Sequence, residues 1–200
     1  MCYLIFCKIV IFKFRENKVK YMLRLFTCIW IPDDIHENIQ KFQEKIKKLP
    51  VKAKFIEPEN LHITITFLGS VEEDELKSLI KKIDTITKNV KKFHAKIETL
   101  KIIPNEEYIR VIGVNVSNNQ NLADLIKKIG DSIGGKFYTT AKLTLCRVKS
   151  VFDKQIIKDF IEKNHNVKLG EFMIESVALV KSTLTRQGPV YETIHTSILK

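Results

Sequence analysis

The sequence predicts an α+β fold of two lobes related by a pseudo-twofold axis, with antiparallel sheets lining a central cleft and helices outside. Three observations lead to it. Strand-like and amphipathic helical segments are mixed, and several strands follow one another directly, which favours antiparallel pairing. No Gly-rich phosphate loop and no GxGxxG is present. Residues 60–71 (NLHITITFLGSV) and residues 140–151 (TAKLTLCRVKSV) resemble each other at an offset of 80, each followed by a helical pattern. At that offset Thr64 falls on Thr144, Ile65 on Leu145, Leu68 on Val148 and Ser70 on Ser150, whereas His62 falls on Lys142.

Each element has its own signal. Residues 23–31 form a strand with Leu23, Leu25, Ile29 and Ile31 on one face. Pro32, Asp33 and Asp34 start a helix with an acidic cap and first turn, and Ile35, Ile39, Phe42, Ile46 and Leu49 give it one apolar stripe. Residues 51–56 make a short strand and residues 61–68 a stronger one. Ser70, Val71, Glu72 and Glu73 have the form of a capping box for a helix carrying Leu76, Leu79, Ile80, Ile83 and Ile86. Strands at 93–103 and 108–116 join through a turn at Pro104 and Asn105. Leu122, Leu125, Ile126, Ile129 and Ile133 mark a third helix, stopped by Gly134 and Gly135. A strand at 141–148 leads into a helix at 153–163. Strands at 171–182 and 190–199 close the chain around Gly188 and Pro189. No low-complexity linker separates the halves, so residues 22–200 are expected to pack as one unit.

Residues 1–21 read as an N-terminal extension, or as the product of an upstream start, because Met22 directly precedes the first good strand. The apolar run through Phe14 is interrupted by Lys8 and Lys13 and is too short to span a bilayer. Hydrophobic residues make up 44% of the chain, enough for a core, which excludes general disorder. The balance of 34 basic to 23 acidic residues, +11, favours an anionic partner such as nucleic acid. It is spread along the chain and locates no site. Cys2, Cys7, Cys28 and Cys146 have no CxxC or Cys/His spacing, which argues against zinc. Cys28 and Cys146 read as reduced core residues, which suits the cytosol.

Strand parity selects the chemistry. His62, Thr64, Thr66 and Leu68 share one face, while Leu61, Ile63, Ile65 and Phe67 form an apolar face for the core. An imidazole two residues before a hydroxyl can hold a phosphate oxygen and move a proton. Lys142 and Thr144 share the equivalent face of the second copy. Arg147 falls on the opposite face, where an ion pair is expected. His36 and His94 read as surface residues without partners, and His165 as part of a polar turn. His195 is a weak candidate for the missing second imidazole. Tyr191, Phe137 and Tyr138 could stack on a base, with core packing the stronger expectation.

With these residues in view, the chain resembles the 2H phosphoesterases, specifically the RNA 2′,3′-cyclic phosphodiesterases also called 2′-5′ RNA ligases. The resemblance runs from Met22 to Leu199. It rests on residues 23–27, on the segment from Glu59 to Gly69 that holds the His62–Ile63–Thr64 motif, on residues 142–148, and on Ser182, Thr183 and Leu184 followed by Gly188, Pro189, Val190 and Tyr191. It implies a two-lobed fold with a cleft and an H-x-T motif from each lobe, no metal and no cofactor. One His acts as base on water, the other protonates the leaving ribose oxygen, and two Thr bind the phosphate. Carried over, His62, Thr64 and Thr144 match. Lys142 stands where the second His is expected, and Ala141 where a proline is common.

The expected function is therefore hydrolysis of RNA 2′,3′-cyclic phosphate ends to 2′-phosphates, with 2′-5′ joining as an accompanying activity. His62 and Lys142 are the expected catalytic pair and Thr64 and Thr144 the phosphate ligands. The expected partners are RNA ends or related cyclic or 2′-5′ nucleotides, met by a monomer in the cytoplasm without a membrane. The alternative is a phosphate-binding module in which Lys142 has removed turnover.

Overall fold

The computed structural model describes residues 21–117 and 120–200. The expected N-terminal extension lies outside them except for Tyr21, as do Cys2 and Cys7. In chain order the elements are β1 (Met22–Trp30), α1 (Asp33–Lys47), β2 (Val51–Phe55), β3 (His62–Glu72), α2 (Leu76–Thr87), β4 (Phe93–Pro104), β5 (Ile109–Ser117), α3 (Asn121–Ile133), β6 (Lys136–Phe137), β7 (Lys142–Val151), α4 (Lys154–Lys163), β8 (Lys168–Ile174), β9 (Ser176–Leu184) and β10 (Pro189–Ile198).

The main sheet path runs β10-β9-β1-β3-β7-β5-β4-β8, and the strand pairs along it are antiparallel. Its two halves meet at one register pair, Ile63 with Leu143. These two residues are 80 apart, the offset of the sequence repeat, so the pseudo-twofold axis passes between them. The halves also exchange short strands: β2 pairs with β7, and β6 pairs with β3.

Amphipathicity places the helices behind the sheet. Ile35, Ile39, Phe42 and Ile46 of α1, Leu79 and Ile83 of α2, and Leu122, Leu125, Ile126 and Ile129 of α3 are buried in one continuous core with the convex strand faces. Each such side chain contributes about 1.5–3 kcal/mol on burial. Cys28 and Cys146 are fully buried, as expected, and burial pushes the Cys146 thiol up to about 11. Asp84 ties α2 to the end of β10, accepting from Ser197 Oγ at 2.6 Å and His195 Nε2 at 2.9 Å. The Ser197 bond, with help from His195, holds the Asp84 carboxyl below its usual range against the effect of burial.

Three sequence readings change. The capping box at Ser70 is absent: β3 stays in the ladder to Glu72, opposite Met22, and one 3-10 turn precedes α2, which has no side-chain cap. Pairing with β1 has claimed the backbone that a cap would use. The acidic first turn of α1 is present, but Pro32 supplies no side-chain cap bond. The strand expected at 171–182 is two strands, because the chain crosses between lobes at Glu175; β8 pairs with β4 and β9 with β1. No Gly or Pro marks that crossing, so an uninterrupted apolar pattern concealed it.

Strand parity also fails, at equivalent places in both copies. Thr64 faces Cys28 and Thr66 faces Thr27, leaving Ile65 as an extra residue in β3. Thr144 faces Gly113 and Cys146 faces Ile112, leaving Leu145 extra in β7. Ile65 and Leu145 are related by the offset of the repeat, so each copy carries the same β-bulge. The bulges reverse the faces downstream. Thr66 turns inward to full burial, while Phe67 turns outward and is 49% exposed. Among the described residues, the buried hydroxyls of Thr27 and Thr66 have no protein hydrogen-bond partner. Thr66→Val is therefore expected to be neutral or stabilising by up to about 1 kcal/mol, a Tm rise of roughly 2–4 °C in thermal unfolding. A clear loss of stability would contradict the bulge.

Candidate active site

The concave faces of the two lobes enclose a cleft of about 960 Å³. His62, Thr64, Lys142 and Thr144 all line it, so the structure brings the four site residues of the sequence reading together. His62 opens β3 and Lys142 opens β7, on either side of the Ile63–Leu143 junction. Thr64 and Thr144 follow one strand repeat further on.

The His62 ring is held on several sides. Its Nδ1 lies 2.7 Å from the Asn60 carbonyl, which only accepts, so Nδ1 carries the proton and Nε2 is the nitrogen able to take another. Ring centroids of Phe26, Trp30 and Tyr191 stand 5.3, 5.6 and 5.5 Å away. Trp30 is itself anchored by Nε1 donating to Thr193 Oγ1 at 3.2 Å. Beneath this ring cluster, Phe26, Cys28, Ala178 and Val180 form a small second core on the cleft side of the sheet. Burial lowers the pKa of His62 and outweighs the Asn60 bond, which raises it; the Arg147 charge lowers it further.

Lys142 is exposed to the cleft, with Nζ 5.7 Å from the Tyr138 ring centroid. Lys136 Nζ lies 5.5 Å from the same ring, so one tyrosine organises two cations. A lysine ammonium has three donors and no acceptor. Opposed to an imidazole with one free nitrogen, it can give a proton where the other takes one.

Arg147 is a correction. The bulge at Leu145 returns it to the face of Lys142 and Thr144, where it lines the cleft; among the described residues no carboxylate pairs with it. The cleft cations are Arg24, Lys54, Lys136, Lys142 and Arg147, against Glu57 and Glu59. Tyr191, Phe137 and Tyr138 line it too. Phe137 packs closely on Gly130 of α3, where a Cβ would overlap its ring, while Tyr138 is 56% exposed. His195 lies outside the cleft, against a separate hollow with Asp84 and Lys88. His36 has partners after all, the Ile31 carbonyl at 3.0 Å and Asp33 at 3.4 Å, and His94 faces Glu171 at 3.7 Å. His165 occupies the expected turn. The sequence reading missed Arg147, Phe26 and Trp30. Alternation along β1 signalled the last two, since they sit opposite its Leu25–Ile29 face; no local signal marked the bulge that turns Arg147.

The electrostatics give a direct readout. The imidazole of His62 is expected to titrate by NMR below the ordinary histidine value of 6.5, and Arg147→Leu is expected to move it upward. A midpoint above 6.5, or one insensitive to Arg147, would contradict this geometry.

A family model described as LigT like phosphoesterase matches residues 29–113, which include the His62 motif. An RNA 2′,3′-cyclic phosphodiesterase of Methanocaldococcus jannaschii is 39% identical over 177 residues, 86% of this chain and 98% of the relative. One from Aquifex aeolicus is 31% identical, covering 79% and 89% respectively. In fold, E. coli LigT complexed with 3′-AMP superposes with a TM-score of 0.72 at 20% identity, over 90% of this chain and 99% of that one. Full-length similarity at this identity, on the same two-lobed fold, leads to one conclusion: the chain belongs to the LigT-like phosphoesterases of the 2H superfamily.

Proposed function

We propose that this protein opens 2′,3′-cyclic phosphates at RNA ends to 2′-phosphates, with His62 as general base and Lys142 as general acid. In this reaction water attacks phosphorus while His62 Nε2 takes its proton. The bond from phosphorus to the 3′ oxygen breaks, and that oxygen leaves with a proton from the Lys142 ammonium. Return of the proton from His62 to Lys142, through solvent, resets the pair. Thr64, Thr144 and Arg147 hold the phosphate oxygens as charge builds on them. A 5′-hydroxyl in place of water gives a 2′-5′ linkage by the same proton movements.

The observation that carries this reading is the fixed tautomer of His62. A neutral imidazole, its Nδ1 proton committed to Asn60 and its pKa lowered by burial, is suited to accept a proton rather than only attract an anion. That assigns base to His62 and leaves acid to Lys142, whose ammonium can only donate. A binding module without turnover has no need of such a ring environment and is not favoured; the relatives, in archaea and bacteria, carry the name of an enzyme. One chain builds the whole cleft, which supports a monomer. No described helix is long and apolar enough to cross a membrane. The cytoplasm is the proposed place of action, in keeping with Cys28 and Cys146, both buried and unpaired.

Purified protein is expected to convert an oligoribonucleotide 2′,3′-cyclic phosphate to the 2′-phosphate, with or without chelator. His62→Ala and Lys142→Ala are each expected to slow turnover by ~10²–10⁴-fold, and Lys142→His to retain it. Absence of turnover, with cleavage gained only by Lys142→His, supports the binding module instead. The pH profile is a separate check. Activity is expected to rise with pH as His62 loses its proton, below the ordinary histidine range. A rise whose midpoint lies above the ordinary histidine value, or no rise at all, would mean that His62 is not the base.

A further inference from the structure

The geometry points to a binding subsite for the phosphodiester backbone of the RNA strand on the exposed face of β2, formed by Lys54 and Lys52, which makes cyclic phosphates at the ends of strands better substrates than free cyclic mononucleotides. This rests on the reading of the cleft as an RNA-end site and extends it from the reacting nucleotide to the chain behind it.

Strand β2 belongs to the first half of the sequence but pairs with β7 of the second. Along it Lys52 and Lys54 are exposed, while Val51, Ala53 and Phe55 are half-buried. Register sets Lys54 beside Arg147 and Lys52 beside Ser150. Following β7 outward from the catalytic pair, one therefore meets Thr144, then Arg147 with Lys54, then Ser150 with Lys52. Lys149 is extra in this ladder and exposed. The steps are about 6.7 Å for each two strand residues. Lys54 lines the cleft and Lys52 lies beyond its rim, so the cations continue past the reacting position.

Their position along the path from the cleft, rather than freedom from a carboxylate, separates them from other surface lysines, since Lys45, Lys48, Lys77 and Lys101 likewise pair with no carboxylate among the described residues. Lys41, Lys47, Lys92, Lys127, Lys158 and Lys181 each pair with a carboxylate. Among the described residues, Lys52, Lys54 and Lys149 pair with none, and the rim carboxylates Glu57 and Glu59 engage neither β2 lysine. Lys54 donates instead to the Gln187 carbonyl in the β9–β10 turn across the cleft. Gly188 makes room for it, since a Cβ there would stand 2.5 Å from the ammonium. That bond occupies one of three donors and fixes the side chain at the mouth, with two donors left for an incoming oxygen. A cyclic mononucleotide has a single phosphate, held at the centre. Cations beyond that point, set along β2 and β7 in line with the cleft, can meet the further phosphates of a longer strand.

The test compares kcat/KM for a nucleoside 2′,3′-cyclic phosphate with that for a short oligoribonucleotide ending in the same group. The native protein is expected to favour the oligonucleotide. The double variant Lys52→Gln, Lys54→Gln is expected to lower the oligonucleotide-to-mononucleotide ratio severalfold. It is also expected to flatten the salt dependence of oligonucleotide binding by roughly 0.7 in log–log slope for each phosphate that the two lysines neutralise. A native ratio near one, or a ratio the variant leaves unchanged, overturns the subsite. If neither compound turns over, the function reading has failed and the subsite is read by fluorescence anisotropy of a labelled oligonucleotide carrying a 2′-phosphate end. Weaker, less salt-dependent binding by the variant then sustains it, and equal binding overturns it.

Discussion

The architecture depends on a single backbone contact between two half-sheets. Ile63 and Leu143 pair across the pseudo-twofold axis and nowhere else do β3 and β7 share a ladder. From that junction the two strands diverge, and the cleft is the space they open. Because each strand begins with its polar motif at the junction, the imidazole of one lobe and the ammonium of the other face the same space. The exchanged strands β2 and β6 reinforce this, since each lobe carries a piece of the other half of the sequence. The matched bulges at Ile65 and Leu145 complete it. They bury the residue that follows and turn Phe67 and Arg147 into the cleft, an aromatic on one side and a guanidinium on the other.

Much of this was legible beforehand because hydrophobic periodicity and a repeat are long-range signals. The stripes of α1 and α3, the paired motifs and the convergence of His62, Thr64, Lys142 and Thr144 all follow from patterns spread over many residues. The failures were local. A bulge inserts one residue without any demand on composition, so Arg147 and Phe67 were assigned to the wrong face. The lobe crossing at Glu175 uses an extended residue in place of a turn former. The Ser70 capping box was overruled by ladder pairing, a tertiary preference that no segment of sequence states by itself. Alternation along β1 puts Phe26 and Trp30 on a second apolar face, opposite the main core, but a pattern of apolar residues does not state that this face packs around His62.

The substitution of lysine for the second imidazole breaks the chemical symmetry of the site while keeping its geometric symmetry. An imidazole can serve as acid or base according to its partner; an ammonium can only donate. His62, confined among three rings with its Nδ1 proton on Asn60, presents Nε2 as an acceptor. In this state the ring can take a proton and the ammonium can give one, and the Arg147 charge favours the neutral form of the ring as well as any anion in the cleft. Net positive charge in the chain thus has a local expression at the site, which composition alone could not locate.

The central claim is that both motifs act on one phosphate. A crystal structure with a nucleoside 2′-phosphate bound measures it most directly. One phosphate group is expected within hydrogen-bond reach of His62 Nε2, Lys142 Nζ and the Thr64 and Thr144 hydroxyls together. A phosphate held by one motif, with the opposite ammonium or imidazole turned away into solvent, would contradict it.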